Sequence, residues 1–199
     1  MLQRDTSNLQ FQLAADFINQ TCQPVFLTGK AGTGKTTFLK FIKENTLKNT
    51  VIVAPTGVAA INAGGTTIHS FFQLPFGPFL PTQNNRGFGI DHHIHDNNGT
   101  DKHSLLGRLR IQKDKRELFQ QLDLLIIDEI SMVRSDTLDA IDTVLRHFRR
   151  NQLQPFGGVQ VLFIGDLFQL PPVVPSEEWN LFNQEQTDDA KKVEKETTY

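Results

Sequence analysis

A single cysteine, Cys22, is the only thiol in this 199-residue sequence, so no internal disulfide framework holds it together. No apolar run approaches the ~20 residues that a membrane-spanning helix requires. Met1-Leu2-Gln3-Arg4-Asp5 does not open a secretory signal. A charge surplus is missing too: the formal net charge is −2, and the tail from Glu185, with five acidic and three basic residues, accounts for all of it. The overall basic excess common among nucleic-acid binders is therefore lacking. Basic residues do bunch at Arg108, Arg110, Lys113, Lys115 and Arg116, and again at Arg146, Arg149 and Arg150, where a solvated helix face is the plain reading. No internal repeat is visible. These absences predict a membrane-free chain in a reducing compartment, cytoplasmic in a bacterium and nuclear or mitochondrial in a eukaryote.

What is present alternates. Asn8 to Asn19 reads as a helix, with Leu9, Leu13, Phe17 and Ile18 at helical spacing and Thr6, Ser7 or Asn8 as its cap. Val25 to Thr28 is a short apolar strand, Thr36 to Asn45 a helix, and Thr50 to Ala54 a second strand stopped by Pro55. Gly57 to Ala63 makes a short helix closed by Gly64-Gly65. From Gln73 to His103 no period is sustained, which predicts a long loop or insertion. Lys113 to Gln121 is helical, Leu124 to Ile127 a wholly apolar strand, and Val159 to Ile164 another. Between them Asp136 to Arg149 is an amphipathic helix with Leu138, Ile141, Val144, Leu145 and Phe148 inward. Apolar strands without alternation, each followed by a helix, predict an α/β fold with a mostly parallel sheet covered on both faces. Residues 183–199 read as a polar, frayed tail.

Directly after the first strand comes GKAGTGKTT, with the spacing G-x-x-x-x-G-K-T from Gly29 through Gly34 and Lys35 to Thr36. A strand feeding a glycine-rich turn that opens a helix makes a phosphate cradle, because successive backbone N–H groups and the helix N-terminus converge on the anion. Ala31, Gly32, Thr33 and Thr37 complete it. Lys35 is predicted to reach the β- and γ-phosphates and the Thr36 hydroxyl to ligate Mg²⁺. After the apolar strand Leu124 to Ile127, Asp128 is placed to join the Mg²⁺ shell and Glu129 to deprotonate an attacking water. Gln169, in GDLFQLPPV, is placed to touch the γ-phosphate. Asp91-His92-His93-Ile94-His95-Asp96 has three histidines close together but no second ligand cluster, so a solvated loop is the better reading than a metal site.

APTGVAAINAGGTTIHSFF (Ala54 to Phe72), LLIIDEISMV (Leu124 to Val133) and GDLFQLPPV (Gly165 to Val173) together resemble the superfamily-1 DNA helicases of the petite-integration-frequency type, 5′-to-3′ relatives of the RecD helicases. The likeness spans roughly residues 8 to 182. It implies a RecA-like P-loop NTPase domain, ATP and Mg²⁺ as cofactors, and single-stranded DNA as partner. By the same likeness Gln12, seventeen positions before Gly29, matches the glutamine that reads adenine, with Gln10 the near rival. Thr56, Gly57, Thr66, His69 and Ser70 match positions that touch DNA. Hydroxyls and glycine amides suit phosphate oxygens, and histidine or phenylalanine suits base stacking. Phe71 and Phe72 are equally suited to a core.

Family members continue into a second RecA-like domain with an arginine finger, whereas this sequence stops soon after GDLFQLPPV. The expectation is a monomeric first motor domain over residues 1–182, with 73–103 as a loop or insertion and a second domain possibly supplied in trans. Its ATPase is expected to be weak, without unwinding. Two other readings stand beside it: a non-motor ATP- and DNA-binding regulatory module, and a P-loop phosphotransferase with Gln73 to His103 as a lid.

Overall fold

Strands with no polar alternation need cover on both faces, and the sheet has it. The computed structural model describes residues 8–80, 100–109 and 111–175. In chain order its elements are α1 (Leu9–Gln20), β1 (Val25–Thr28), α2 (Lys35–Asn45), β2 (Thr50–Ala54), α3 (Gly57–Ala63), β3 (Thr66–Thr67), α4 (Ile68–Phe72), β4 (Phe79–Leu80), β5 (Thr100–Asp101), α5 (Lys102–Arg108), α6 (Lys113–Gln121), β6 (Leu124–Ile127), α7 (Ser135–Arg149) and β7 (Gln160–Gly165). Short 3-10 turns occupy Ile130–Met132 and Pro155–Gly158.

Five strands form one parallel sheet in the order β1-β7-β6-β2-β3. Successive side chains on a strand point to opposite faces, and β6 shows the result. Leu124 and Ile126 join Ile52, Leu162 and Ile164 against Ala15 and Ile18 of α1 and Phe38, Leu39 and Ile42 of α2. Leu125 and Ile127 turn the other way, with Val53 and Val161, onto Phe71, Phe72, Phe119, Ile141 and Leu145. Each face thus has its own core, as the predicted RecA-like α/β architecture requires. All four β6 side chains are fully buried.

Several expectations need correction. Leu9, Leu13 and Phe17 do share a face of α1, but that face meets solvent, with exposures of 68%, 58% and 50%. The helix is seated instead through Ala15, Ile18 and the Phe11 ring, which meets Phe38 and Phe41 edge-on at 4.9 and 5.1 Å. On α7, Ala140 is buried and Leu138 only partly so. The stretch read as one long loop holds structure at both ends, since β4 and β5 pair in parallel and α5 starts at Lys102. Asp136, itself buried, anchors this pair by accepting the Phe79 amide at 3.0 Å while Arg134 grips both its oxygens at 2.9 and 2.8 Å.

The histidine cluster at 91–96, Arg110 and the tail at 183–199 lie outside the described residues. No helix among the described residues is long and apolar enough to cross a membrane.

Candidate nucleotide and nucleic-acid sites

All the sheet strands run the same way, so their C-terminal ends share one edge. Thr28 of β1 pairs with Gly165 of β7, and Ile127 of β6 pairs with Phe163, which brings the segments from Gly29, Asp128 and Asp166 together. Such an edge is where open α/β sheets hold ligands.

Gly29 to Thr37 bridges β1 and α2. Gly32 and Gly34 sit at φ 78° and 93°, a left-handed backbone that residues with a Cβ rarely adopt. No side chain caps α2, whose first-turn amides face the loop. Thr33 ties the loop by donating from its amide and hydroxyl to the Lys30 carbonyl, at 3.3 and 2.8 Å. The Lys35 ammonium spans the turn, donating to the carbonyls of Gly29 at 2.5 Å and Lys30 at 3.0 Å.

Thr36, Asp128, Glu129, Ser131 and Gln169 line one open cleft together with Thr56. Three separated segments therefore deliver the predicted phosphate, metal and water groups to a single place. The Asp128 amide donates to Val53 O at 2.9 Å, which extends the β6 ladder by one residue and fixes the carboxylate. Burial pushes its carboxyl above the ordinary range. The Glu129 amide bond to it opposes that, nearby Glu129 reinforces it, and Lys35 opposes it. Glu129 holds φ 52° and ψ 47°, a left-handed conformation rare outside glycine and costly enough to be kept mainly where geometry matters. Thr36 and Asp128 offer hard oxygen donors, as Mg²⁺ prefers, and phosphates and water would complete its shell. No cluster of three or more His, Cys, Asp or Glu residues able to hold a metal by itself occurs among the described residues.

Sequence reasoning passed over Asp166. It is buried, accepts the Phe168 amide on Oδ1 at 3.1 Å and Gln169 Nε2 on Oδ2 at 3.2 Å, and so shapes the turn that carries Gln169. Its signal was a carboxylate directly after the glycine that ends an apolar strand. A second open recess beside the phosphate loop is lined by Asn8, Gln10, Phe11, Thr28, Gly29 and Lys35, among others. Gln10 is among its lining residues and Gln12, half-buried on α1, is not.

The residues matched to DNA contacts divide. Thr56 caps α3, accepting the Ala59 amide at 3.2 Å, and belongs to the nucleotide-side cleft. Gly57 begins α3, and Thr66 pairs with Val53 at the sheet edge. His69 and Ser70 lie on α4, and the His69 ring stacks on Phe76 at 5.4 Å and 15°. Phe71 and Phe72 are buried in an aromatic cluster with Phe119, so neither can stack on a base. The basic bunches are largely structural. Arg149 donates to the carbonyls of Phe119, Gln120 and Leu122 at the end of α6, and to Gly157. Lys115 sits over the Phe71 ring and donates to Ser70 O, Arg116 lies over Phe148, and Arg146 pairs with Asp142.

Residues 1–85 and 90–188 match the PIF1-like helicase family. The ATP-dependent DNA helicase RRM3 of Saccharomyces cerevisiae is 36% identical over 162 residues, covering 79% of this chain and 19% of that protein. The ATP-dependent DNA helicase Pif1 of a Psychrobacter species is 38% identical over 165 residues, 81% of this chain and 22% of its own length. Among solved structures, Pif1 of a Bacteroides species in complex with ADP-AlF4 superposes with a TM-score of 0.72 at 44% identity. Bacteroides Pif1 bound to single-stranded DNA gives 0.70, also at 44% identity. Each comparison covers 89% of this chain and 36% of the other. The chain thus spans about a fifth of the curated relatives and about a third of the solved ones.

Proposed function

The chain belongs to the PIF1-like helicase family, and on that premise we propose that it is the ATP- and single-stranded-DNA-binding first motor domain of a 5′-to-3′ DNA helicase. One observation carries the nucleotide half of this reading: Thr36, Asp128, Glu129 and Gln169, from three distant segments, line one cleft beside the phosphate loop.

On ATP binding, Lys35 exchanges the Gly29 and Lys30 carbonyls for β- and γ-phosphate oxygens, while the uncapped amides of α2 take the remaining charge. Thr36 and Asp128 would hold Mg²⁺, which would neutralise part of the phosphate charge. Glu129 accepts a proton from the attacking water. Gln169 turns its amide to the γ-phosphate and registers its departure. The adenine is read from α1, by Gln12 or by Gln10. DNA passes over the edge formed by Gly57, Thr66, His69 and Ser70, contacted chiefly through its phosphates.

Among the described residues, no arginine lines either cleft. An arginine finger accounts for ~10³–10⁵ in rate in related phosphate chemistry, so these 199 residues are expected to bind Mg-ATP and turn it over slowly. That favours a binding module over a motor for the chain in isolation. Family membership leaves the phosphotransferase reading without support.

The test is calorimetric titration of Mg-ATP into the chain and into Lys35→Ala and Glu129→Gln. Binding is expected to be lost or greatly weakened in the first and kept in the second. Full affinity in Lys35→Ala would overturn the reading, as would DNA-stimulated turnover of tens per second by this chain alone.

A further inference from the structure

Phe76 stands apart from the other phenylalanines of its segment. Phe71, Phe72 and Phe79 are buried, whereas Phe76 is 90% exposed. A lone exposed apolar residue needs no special account. What marks Phe76 is its mounting. Its ring lies nearly flat on the His69 imidazole, with centroids 5.4 Å apart and planes 15° from parallel. One face is thereby braced, and the exposure of the residue leaves the opposite face to solvent.

The loop that carries it is pinned at both ends. Gln73 closes α4 in a left-handed conformation, at φ 54°, and the Leu74 amide donates to His69 O at 3.1 Å. Beyond Phe76, Pro78 O accepts the Thr100 amide at 2.9 Å and Asp136 holds the Phe79 amide at 3.0 Å. Leu74 and Phe79 are buried, and Pro75 and Pro78 have fixed φ angles. Pro75, Gly77 and Pro78 line a small cavity between the loop and α7, and Phe76 does not. The ring is thus presented outward on a fixed support.

A ring face held in this way suits a planar partner, and the surroundings suit a polyanion. No acidic residue occurs between Glu44 and Asp91 in the sequence. Lys115 brings its ammonium to Ser70 O at 3.2 Å, one residue from His69. The buried Asp136 nearby is paired with the Arg134 guanidinium. The exposed neighbours of Phe76 in the chain, Gln73 and Gly77, give no wider apolar surface for a protein partner. We propose that the open face of Phe76 stacks on an unpaired base of single-stranded DNA, an inference that rests on the DNA half of the reading above. Phosphates pass along Gly57, Thr66 and Ser70, and one base turns onto Phe76 with His69 as the brace behind it. Such a contact adds affinity without reading sequence, because every base has a π-face.

The experiment compares wild-type, Phe76→Ala, Phe76→Leu and Phe76→Trp by thermal unfolding and by anisotropy titration at two salt concentrations. The probes are labelled oligothymidine and an abasic strand of the same length. All four proteins are expected to unfold alike, since the ring is exposed. Phe76→Ala and Phe76→Leu are expected to bind oligothymidine about tenfold more weakly at both salt concentrations. Their salt slope is expected to match wild-type, because no phosphate contact is lost. On the abasic strand they are expected to bind as wild-type does. Phe76→Trp is expected to keep wild-type affinity, its added fluorescence quenched by oligothymidine but not by the abasic strand. Wild-type, with Trp179 as its one tryptophan, gives the baseline. Wild-type affinity in Phe76→Ala or Phe76→Leu, or an equal loss on the abasic strand, would overturn the proposal while leaving the DNA reading intact. A wild-type chain that binds no oligothymidine at the lower salt would overturn both.

Discussion

The Asp166 carboxylate accepts a hydrogen bond from Gln169 Nε2 at 3.2 Å, and Asp166 is buried while the neighbouring Phe168 is fully exposed. One acid thus holds the turn after β7 and aims the amide that borders the nucleotide cleft.

Asp166→Ala removes the acceptor for both the Phe168 amide and the Gln169 side chain. Urea unfolding is expected to show a loss of about 1–3 kcal/mol. Single-turnover ATP hydrolysis is expected to fall more than ATP affinity does, since Gln169 loses its orientation. Wild-type hydrolysis in a variant destabilised by this amount would show that Asp166 serves the fold alone.

The adenine contact is a choice between two glutamines two positions apart on α1. If Gln12 reads the base, Gln12→Ala is expected to weaken ATP while leaving tripolyphosphate affinity nearly unchanged, and Gln10→Ala to do neither. The reverse pattern would move the contact to Gln10, which already lines the recess beside the loop. Equal losses for ATP and tripolyphosphate in Gln12→Ala would mean that it only supports the helix.

Burial first, and the Arg134 guanidinium second, hold the His69 imidazole below its ordinary range, with Asp136 opposing. The unfolded chain therefore takes up this proton more readily than the folded one. The stability involved is complete above the unfolded pKa of about 6.5 and is lost as pH falls through it toward the folded value. His69→Gln is expected to flatten the decline in denaturant-measured stability between about pH 7 and pH 5. A slope identical to wild-type would show that His69 does not govern it.

Single-stranded DNA binding by this chain is expected to be weak, indifferent to base sequence and steeply reduced by salt. In anisotropy titrations at two salt concentrations, His69→Ala with Ser70→Ala is expected to reduce DNA affinity without changing that for ATP. Thr56→Ala is a poorer probe. It removes the α3 cap, at about 1 kcal/mol, and disturbs the cleft shared with Thr36 and Glu129. Undiminished DNA affinity in the His69 and Ser70 double variant would take α4 off the DNA path.

The bounds of β1, β2, α3 and β6 coincide with those read from the sequence, because strongly apolar runs and clear caps leave few alternatives; those of the polar α6 coincide too. The two-residue strands β3, β4 and β5 and the five-residue α4 show no periodicity and were missed; the local cue for α4 is Thr67, whose hydroxyl caps it by accepting the Ser70 amide. The stripe Leu9, Leu13 and Phe17 has the right spacing for a core face and is exposed all the same, since period does not say what lies opposite. Phe71 and Phe72 went inward because Phe119, forty-seven residues beyond Phe72, arrives to receive them. Lys35, Thr36, Asp128, Glu129 and Gln169 were legible as motif residues. The left-handed backbone of Glu129 arises from tertiary contact, and no local pattern announces it.

Strand β1 occupies an edge of the sheet, and its partner is β7, reached only at Gln160. As the chain leaves the ribosome, β2, β3 and β6 can pair while the strand that carries the phosphate loop still has no neighbour. Loop closure across so long a separation makes that pairing slow as well as late. Nascent chains that end between Arg149 and Gln160 would therefore be expected to bury much of the α7 side of the core yet bind no nucleotide. The site encoded first among the motifs is the one assembled last.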